Sequence, residues 1–140
     1  MTFVIDTSAA TKLFIDEAGW WNVRSFVSSA QMIAAPALFK IELTSACVAQ
    51  WRLRGLEKLR IGQNIALISA FLDPKNMILY ADEDDFEEAV ALAISYEHRI
   101  ADCHFVALAR RLEMALLTAD MKQAQIAIQE GIEVTLIETR

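Results

Sequence analysis

Five short apolar runs, set between stretches of helical periodicity, predict an α/β fold: a sandwich of helices around a mainly parallel sheet. Three observations carry this. The runs "FVI", "QMIAAP", "MILY", "MALLT" and "EVTLI" alternate with amphipathic segments long enough to be crossover helices. Hydrophobic residues make up 55% of the chain against only 4 Gly and 2 Pro, which suits a packed, helix-rich globule and excludes a disordered one. A chain of 140 residues is also the size of one domain, which buries about two-thirds of its unfolded surface, so residues 1–140 are expected to form a single domain.

The elements follow in order. Met1 to Ile5 reads as a buried strand, and Asp6, Thr7 or Ser8 can cap a helix running to about Ala18. Gly19 stops that helix, and Trp20, Val23 and Val27 recur at helical spacing in the next one. Pro36 closes the second strand. Leu38, Ile41, Ala46 and Trp51 mark an amphipathic helix, and another runs from Gly55 to Leu72. Asp73-Pro74-Lys75-Asn76 is a turn leading into the third strand, after which Asp82, Asp84 and Asp85 place acidic charge at the start of a helix that ends near Tyr96. A helix from about Ile100 to Leu112 precedes the fourth strand, and Asp120 opens a helix that Gly131 ends before the last strand.

Cys47 and Cys103 lie far apart with no paired spacing, so a reducing compartment and buried apolar roles are expected. No run approaches the roughly 18 apolar residues that span a membrane, and a cytoplasmic protein is expected. The net charge of −6 opposes generic attraction to nucleic acid. The segment "WRLRGLEKLR" is the exception, concentrating Arg52, Arg54, Lys58 and Arg60, 4 of the 13 basic residues. Such a stripe suits either phosphate contact or a solvated helix face, and Arg110 and Arg111 stand under the same two accounts.

Sites in parallel α/β sheets sit at the carboxyl ends of the strands. Asp6 follows the first strand directly and Asp120 follows the fourth by two residues, so the two converge if those strands are neighbours. Asp102 begins the helix that returns the chain to the fourth strand, and Glu42 lies in the first turns of the helix after the second. Each acid alone is explained by capping or the helix dipole. Four like charges at one edge, however, repel unless protons or cations relieve them. A hard cation such as Mg²⁺ or Mn²⁺ takes oxygen ligands and supports in-line displacement at phosphorus.

With these spacings the chain resembles a PIN-domain ribonuclease of the VapC type, the toxin of a toxin–antitoxin pair. "VIDTSAATKLFIDE" resembles the opening strand, metal-binding Asp, hydroxyl pair and helical Lys; "AAPALFKIELTSA" resembles the second motif; "RIADCHFVALARRLEMALLTAD" resembles the third and fourth. The resemblance implies a three-layer α/β sandwich with a five-stranded parallel sheet flanked by helices. It also implies Mg²⁺- or Mn²⁺-dependent endonuclease action on RNA, a cognate antitoxin partner and a homodimer. Onto this chain it carries Asp6, Glu42, Asp102 and Asp120 as catalytic and metal-binding acids, with Thr118 matching a hydroxyl before the last of them. Thr7, Ser8 and Thr118 are expected to hydrogen-bond those carboxylates, with capping an equal account of Thr7 and Ser8. Lys12, Arg52 and Arg54 are the candidates for contact with substrate.

Cys103-His104-Phe105 depart from the small residue and aromatic usual after the third acid. His104 is expected on the helix surface or half-buried, and Cys103 as a buried thiol without a base to activate it. Trp20, Trp21, Phe26 and Trp51 are expected in the core or at an interface rather than stacked on bases. Among rivals, a phosphatase of the haloacid-dehalogenase kind wants a second Asp where Ser8 stands, and a phospho-receiver domain wants an acidic pair after strand one. The non-enzymatic rival is a degenerate PIN fold acting as a binding module.

Overall fold

The computed structural model describes residues 1–139. Its strands are β1 (Thr2–Ile5), β2 (Met32–Pro36), β3 (Ile78–Tyr80), β4 (Ala115–Thr118) and β5 (Val134–Leu136), paired in parallel in the order β3-β2-β1-β4-β5. Helices flank this sheet in a three-layer sandwich: α1 (Thr7–Ala10), α2 (Trp20–Ser29), α3 (Phe39–Leu53), α4 (Lys58–Phe71), α5 (Phe86–Tyr96), α6 (Ile100–Leu112) and α7 (Met121–Gln129).

The three central strands are covered on both faces, which is why they read as unbroken apolar runs rather than alternating ones. Val4, Ile5, Ala34, Ala35 and Leu116 are fully buried, whereas edge residue Ile78 is 39% exposed. Helix α6 lies across β1, β2 and β4, and its Cys103 to Ala109 run is buried. Phe39, Phe71 and Phe105 pack edge to face beneath the sheet, with Phe39 and Phe105 centroids 6.0 Å apart. Trp51 belongs to this core, but Trp20 and Trp21 are 38% and 65% exposed.

Three local expectations are corrected. The first helix does not reach Ala18: α1 tightens into a 3₁₀ turn over Thr11–Leu13 and ends. Lys12 closes the loop that replaces the missing turns, its ammonium donating to the Ala18 carbonyl at 2.7 Å and pairing with Glu17 at 3.4 Å. Gly19 then enters α2 with φ of +90°, and a Cβ there would stand 2.8 Å from Ile137 Cγ2. Only glycine combines that backbone with that proximity.

The acidic segment after β3 is not simply a charged helix start. Asp82–Asp84 form a 3₁₀ turn, and Asp82 Oδ1 accepts from the Leu38 N–H at 3.1 Å, supplying the front of α3 with an acceptor. Asp85 is buried and takes two hydrogen bonds from Arg111, at 2.7 and 3.0 Å. Arg110 pairs with Glu88 and Glu130, each at 2.9 Å. Both arginines therefore tie helices together rather than waiting on a ligand.

Candidate active site

Register builds the site. Ile5 pairs with Leu117, and the Asp6 N–H extends the ladder to the Leu117 carbonyl at 3.1 Å, so Asp6 emerges beside Thr118 at the carboxyl ends of β1 and β4. The first and fourth strands are neighbours, as convergence of their acids requires. Asp6 caps α1, accepting from the Ala9 N–H at 3.1 Å, and Asp120 caps α7, accepting from the Gln123 N–H at 3.0 Å. Capping and site-building are thus one arrangement: the residue that ends a strand and opens a helix is also the one presented at the sheet edge.

Two hydroxyls complete the surroundings of Asp6. Ser8 Oγ donates to Oδ1 at 2.6 Å and Thr118 Oγ1 donates to Oδ2. The same oxygens accept from the Ala119 N–H at 2.9 Å and the Asp120 N–H at 3.0 Å, which leaves their protons directed at Asp6. Despite three donors, the Asp6 carboxyl is pushed up to about 6, because burial outweighs the hydrogen bonds and the Asp120 charge adds to it.

Glu42 and Asp102 form a second pair. The Glu42 carboxyl is raised by burial and by the Asp102 charge, opposed by Arg99. Thr7 Oγ1 donates to Glu42 Oε1 at 3.4 Å and Arg99 to Oε2 at 3.3 Å, so Thr7 links this pair to the β1 end. The four acids reach one edge as two coupled pairs, Asp6 with Asp120 and Glu42 with Asp102, and not as a single knot. Among the described residues no three of His, Cys, Asp and Glu stand close enough to hold a metal ion by themselves. The donor set is nonetheless carboxylate and hydroxyl oxygen, which suits a hard divalent cation held by one or two carboxylates and waters.

Other candidates are placed differently. Lys12 is buried in its own loop, which leaves its expected role in substrate contact without a free ammonium. Arg54 Nη1 donates to the Asp16 carbonyl at 3.1 Å on the exposed end of α3, and Arg52 flanks a groove with Val48, Leu56, Ile61 and Ile65. Neither lies in hydrogen-bond contact with the acids among the described residues. Cys103 is a buried free thiol pushed up to about 11 by burial and then by Asp102, the state of an inert side chain. His104 is buried, not on the surface, with its Nδ1 unpartnered among the described residues and its ring 6.2 Å from that of Phe86.

Three residues beside the acids escaped the sequence pattern: His98, Arg99 and Gln123. His98 Nε2 lies 3.5 Å from Asp102 Oδ2 and 3.1 Å from Gln123 Oε1. The i,i+4 spacing of His98 and Asp102 was a usable signal. The Gln123 contact, 25 residues away in sequence, carried none.

Fold and site together define a class: parallel α/β proteins with paired carboxylates at the ends of two adjacent central strands. The chain belongs to the PIN-domain family, whose model matches residues 3–129. It is similar in structure to PAE2754 from Pyrobaculum aerophilum, with a TM-score of 0.70 and 14% identity over 96% of this chain and 89% of that one. It is also similar to VapC20 of Mycobacterium tuberculosis, a sarcin-ricin loop cleaving toxin, with a TM-score of 0.68 and 12% identity over 88% and 93% of the two chains. A third likeness is to VapBC2 from Rickettsia felis bound to a promoter DNA fragment, with a TM-score of 0.65 and 14% identity over 99% and 100%. No curated protein matches the sequence.

Proposed function

We propose that this chain is a metal-dependent endoribonuclease, the toxin of a toxin–antitoxin pair, acting in the cytoplasm as a single domain of residues 1–140 and as a homodimer. The observation that carries the proposal is the Asp6 carboxyl, buried at the end of β1 against Asp120 and raised to about 6. Capping α1 needs only an acceptor, which a neutral Asn or Ser supplies, so a carboxylate kept there against burial and a second carboxylate supports a site.

Asp6 and Asp102 would contact Mg²⁺ or Mn²⁺, with Asp120 reaching it directly or through water and Glu42 beside the attacking water. When bound, the cation lowers the pKa of its water and neutralises charge developing on phosphate oxygens. Glu42, raised by burial and by Asp102, is suited to take the proton from the attacking water. Thr7, Ser8 and Thr118 hold the carboxylates in place. The structural relatives that are VapC or VapBC proteins support RNA as substrate and an antitoxin as partner. A groove of about 330 Å³ between α2 and α4, lined by Phe14, Trp20, Val27, Leu67 and Phe71, supports the docking of an apolar antitoxin segment. Among the described residues no helix is long and apolar enough to cross a membrane.

A second function, a degenerate PIN fold that only binds, is favoured by one observation: no three acids of the described chain cluster tightly. The deciding experiment incubates the partner-free protein with tRNA and ribosomal RNA in Mn²⁺, with chelator and Asp6→Asn controls. Discrete cleavage lost in both controls is expected. A folded protein that neither cleaves nor binds Mn²⁺ would leave the binding module.

A further inference from the structure

We infer that Gln123, with His98 as its partner, is a positioning residue that fixes the distance between the third and fourth acids. The inference rests on the proposed nuclease function. Gln123 is 2% exposed, and a buried primary amide is retained only where its donors and acceptor are matched. Here they are. Nε2 donates to the Asp102 carbonyl at 2.8 Å, Oε1 faces His98 Nε2 at 3.1 Å, and the main-chain N–H donates to Asp120 Oδ1 at 3.0 Å. One residue thereby contacts the backbone that carries Asp102 and the carboxylate of Asp120.

The network also fixes its own protons. The Asp102 carbonyl is only an acceptor, so the Gln123 amide must present nitrogen to it and oxygen to His98. His98 must then carry a proton on Nε2, and that proton is directed at Gln123 Oε1. His98 therefore fixes the orientation of the Gln123 amide, which in turn holds the main chain beneath Asp102. Helix α7 reaches α6 through this amide, so the spacing of Asp102 and Asp120 depends on a hydrogen bond rather than on apolar packing alone.

The test uses the full chain, with Gln123→Leu, His98→Ala and His98→Gln. Mn²⁺ alone is titrated into metal-stripped protein by calorimetry, and RNA cleavage is followed as kcat and KM. Partners of ligating groups are worth about 10- to 100-fold. Gln123→Leu is expected to weaken Mn²⁺ affinity and lower kcat about tenfold or more, with KM within about threefold. His98→Ala, which leaves Gln123 in the core and so folds independently of the first outcome, is expected to lose part of this. His98→Gln, whose amide N–H replaces the imidazole donor, is expected to restore it. In metal-free wild type the His98 ring should show a protonated Nε2 by ¹⁵N NMR. Wild-type Mn²⁺ affinity and kcat in folded Gln123→Leu and His98→Ala would overturn the inference while leaving the nuclease intact. A wild-type protein that neither binds Mn²⁺ nor cleaves RNA would overturn both.

Discussion

Asp6 and Asp85 are both buried carboxylates, at 4% and 3% exposure, in opposite surroundings. Asp85 receives a two-point ion pair from Arg111, whose guanidinium also lies 5.5 Å from the centre of the Tyr80 ring. Asp6 has only neutral donors, Ser8, Thr118 and the Ala9 N–H, and faces a second carboxylate, Asp120. A buried charge with a counter-ion is matched by the protein itself and fastens elements together. A buried charge with hydroxyls and a like charge is matched only when something positive arrives. The first belongs to the architecture of α5 and α6; the second marks the candidate site at the carboxyl ends of β1 and β4.

Breaking the comparison at Asp6 gives the largest effects. Asp6→Asn keeps the shape and the acceptor for Ala9 but removes the charge. Activity is expected to fall by more than the roughly 100-fold that partners of ligands cost, while the fold becomes more stable. The sign follows from the raised carboxyl: between its ordinary 3.8 and about 6 the native state keeps a proton that the unfolded chain releases. Stability from this group is full below pH 4, falls as pH rises through 6, and is then lost, a difference of about 3 kcal/mol. Thermal unfolding in chelator should therefore show Asp6→Asn gaining on wild type from pH 4 to 6.5. Equal slopes across that range would mean that Asp6 is not held against its charge.

Asp85→Asn sharpens the contrast in the opposite direction. Breaking a fully buried pair costs about 3–5 kcal/mol, and because the Arg111 side chain is 40% exposed and can recover water, about 2 kcal/mol is expected here. Denaturant unfolding measures it, and kcat should stay at the wild-type value. A loss of kcat without loss of stability would move Asp85 into the reactive site.

Thr118→Val tests whether the neutral donors matter once charge is left intact. Valine keeps the volume but leaves Asp6 Oδ2 and the Asp120 N–H without their shared hydroxyl. A drop in kcat of about tenfold is expected, with the Asp6 carboxyl moved higher because a hydrogen bond that lowers it is gone. An unchanged pH profile of kcat would reduce Thr118 to packing.

How far these contrasts could be read from sequence depends on the range of the interaction. Strand runs and the caps at Asp6 and Asp120 are set by local pattern, and the expected sheet forms. The neighbouring of β1 and β4, on which convergence of the acids depended, is a long-range pairing that local pattern left open. The split of the acids into two pairs depends on side-chain directions that α-helical spacing leaves open. The Asp85–Arg111 pair spans 26 residues and Gln123–Asp102 spans 21, so neither has a periodic signature. The short α1 differs: Lys12 bonds the Ala18 carbonyl only six residues on, a loop closure that helical periodicity does not encode.

The cations divide as the carboxylates do, and the smallest predicted effect follows from that division. Lys12 is engaged inside the fold, and Arg110 and Arg111, though exposed, are each paired with acids of neighbouring elements. Arg52 is exposed and makes no ion pair among the described residues, and Arg54 bonds only a carbonyl. A phosphate backbone would recruit the second group, not the first, so the acidic whole and a basic stripe are compatible. Charge reversal at Arg52 and Arg54 is expected to weaken RNA binding several-fold. It should also make the slope of log affinity against log salt shallower by about one to two, one for each phosphate that is no longer neutralised. An Arg111→Gln control should leave that slope alone although it destabilises the chain. If Arg52→Glu and Arg54→Glu leave the slope unchanged, the stripe is a solvated helix face, and the RNA phosphates must be bound by backbone N–H groups or by a second subunit.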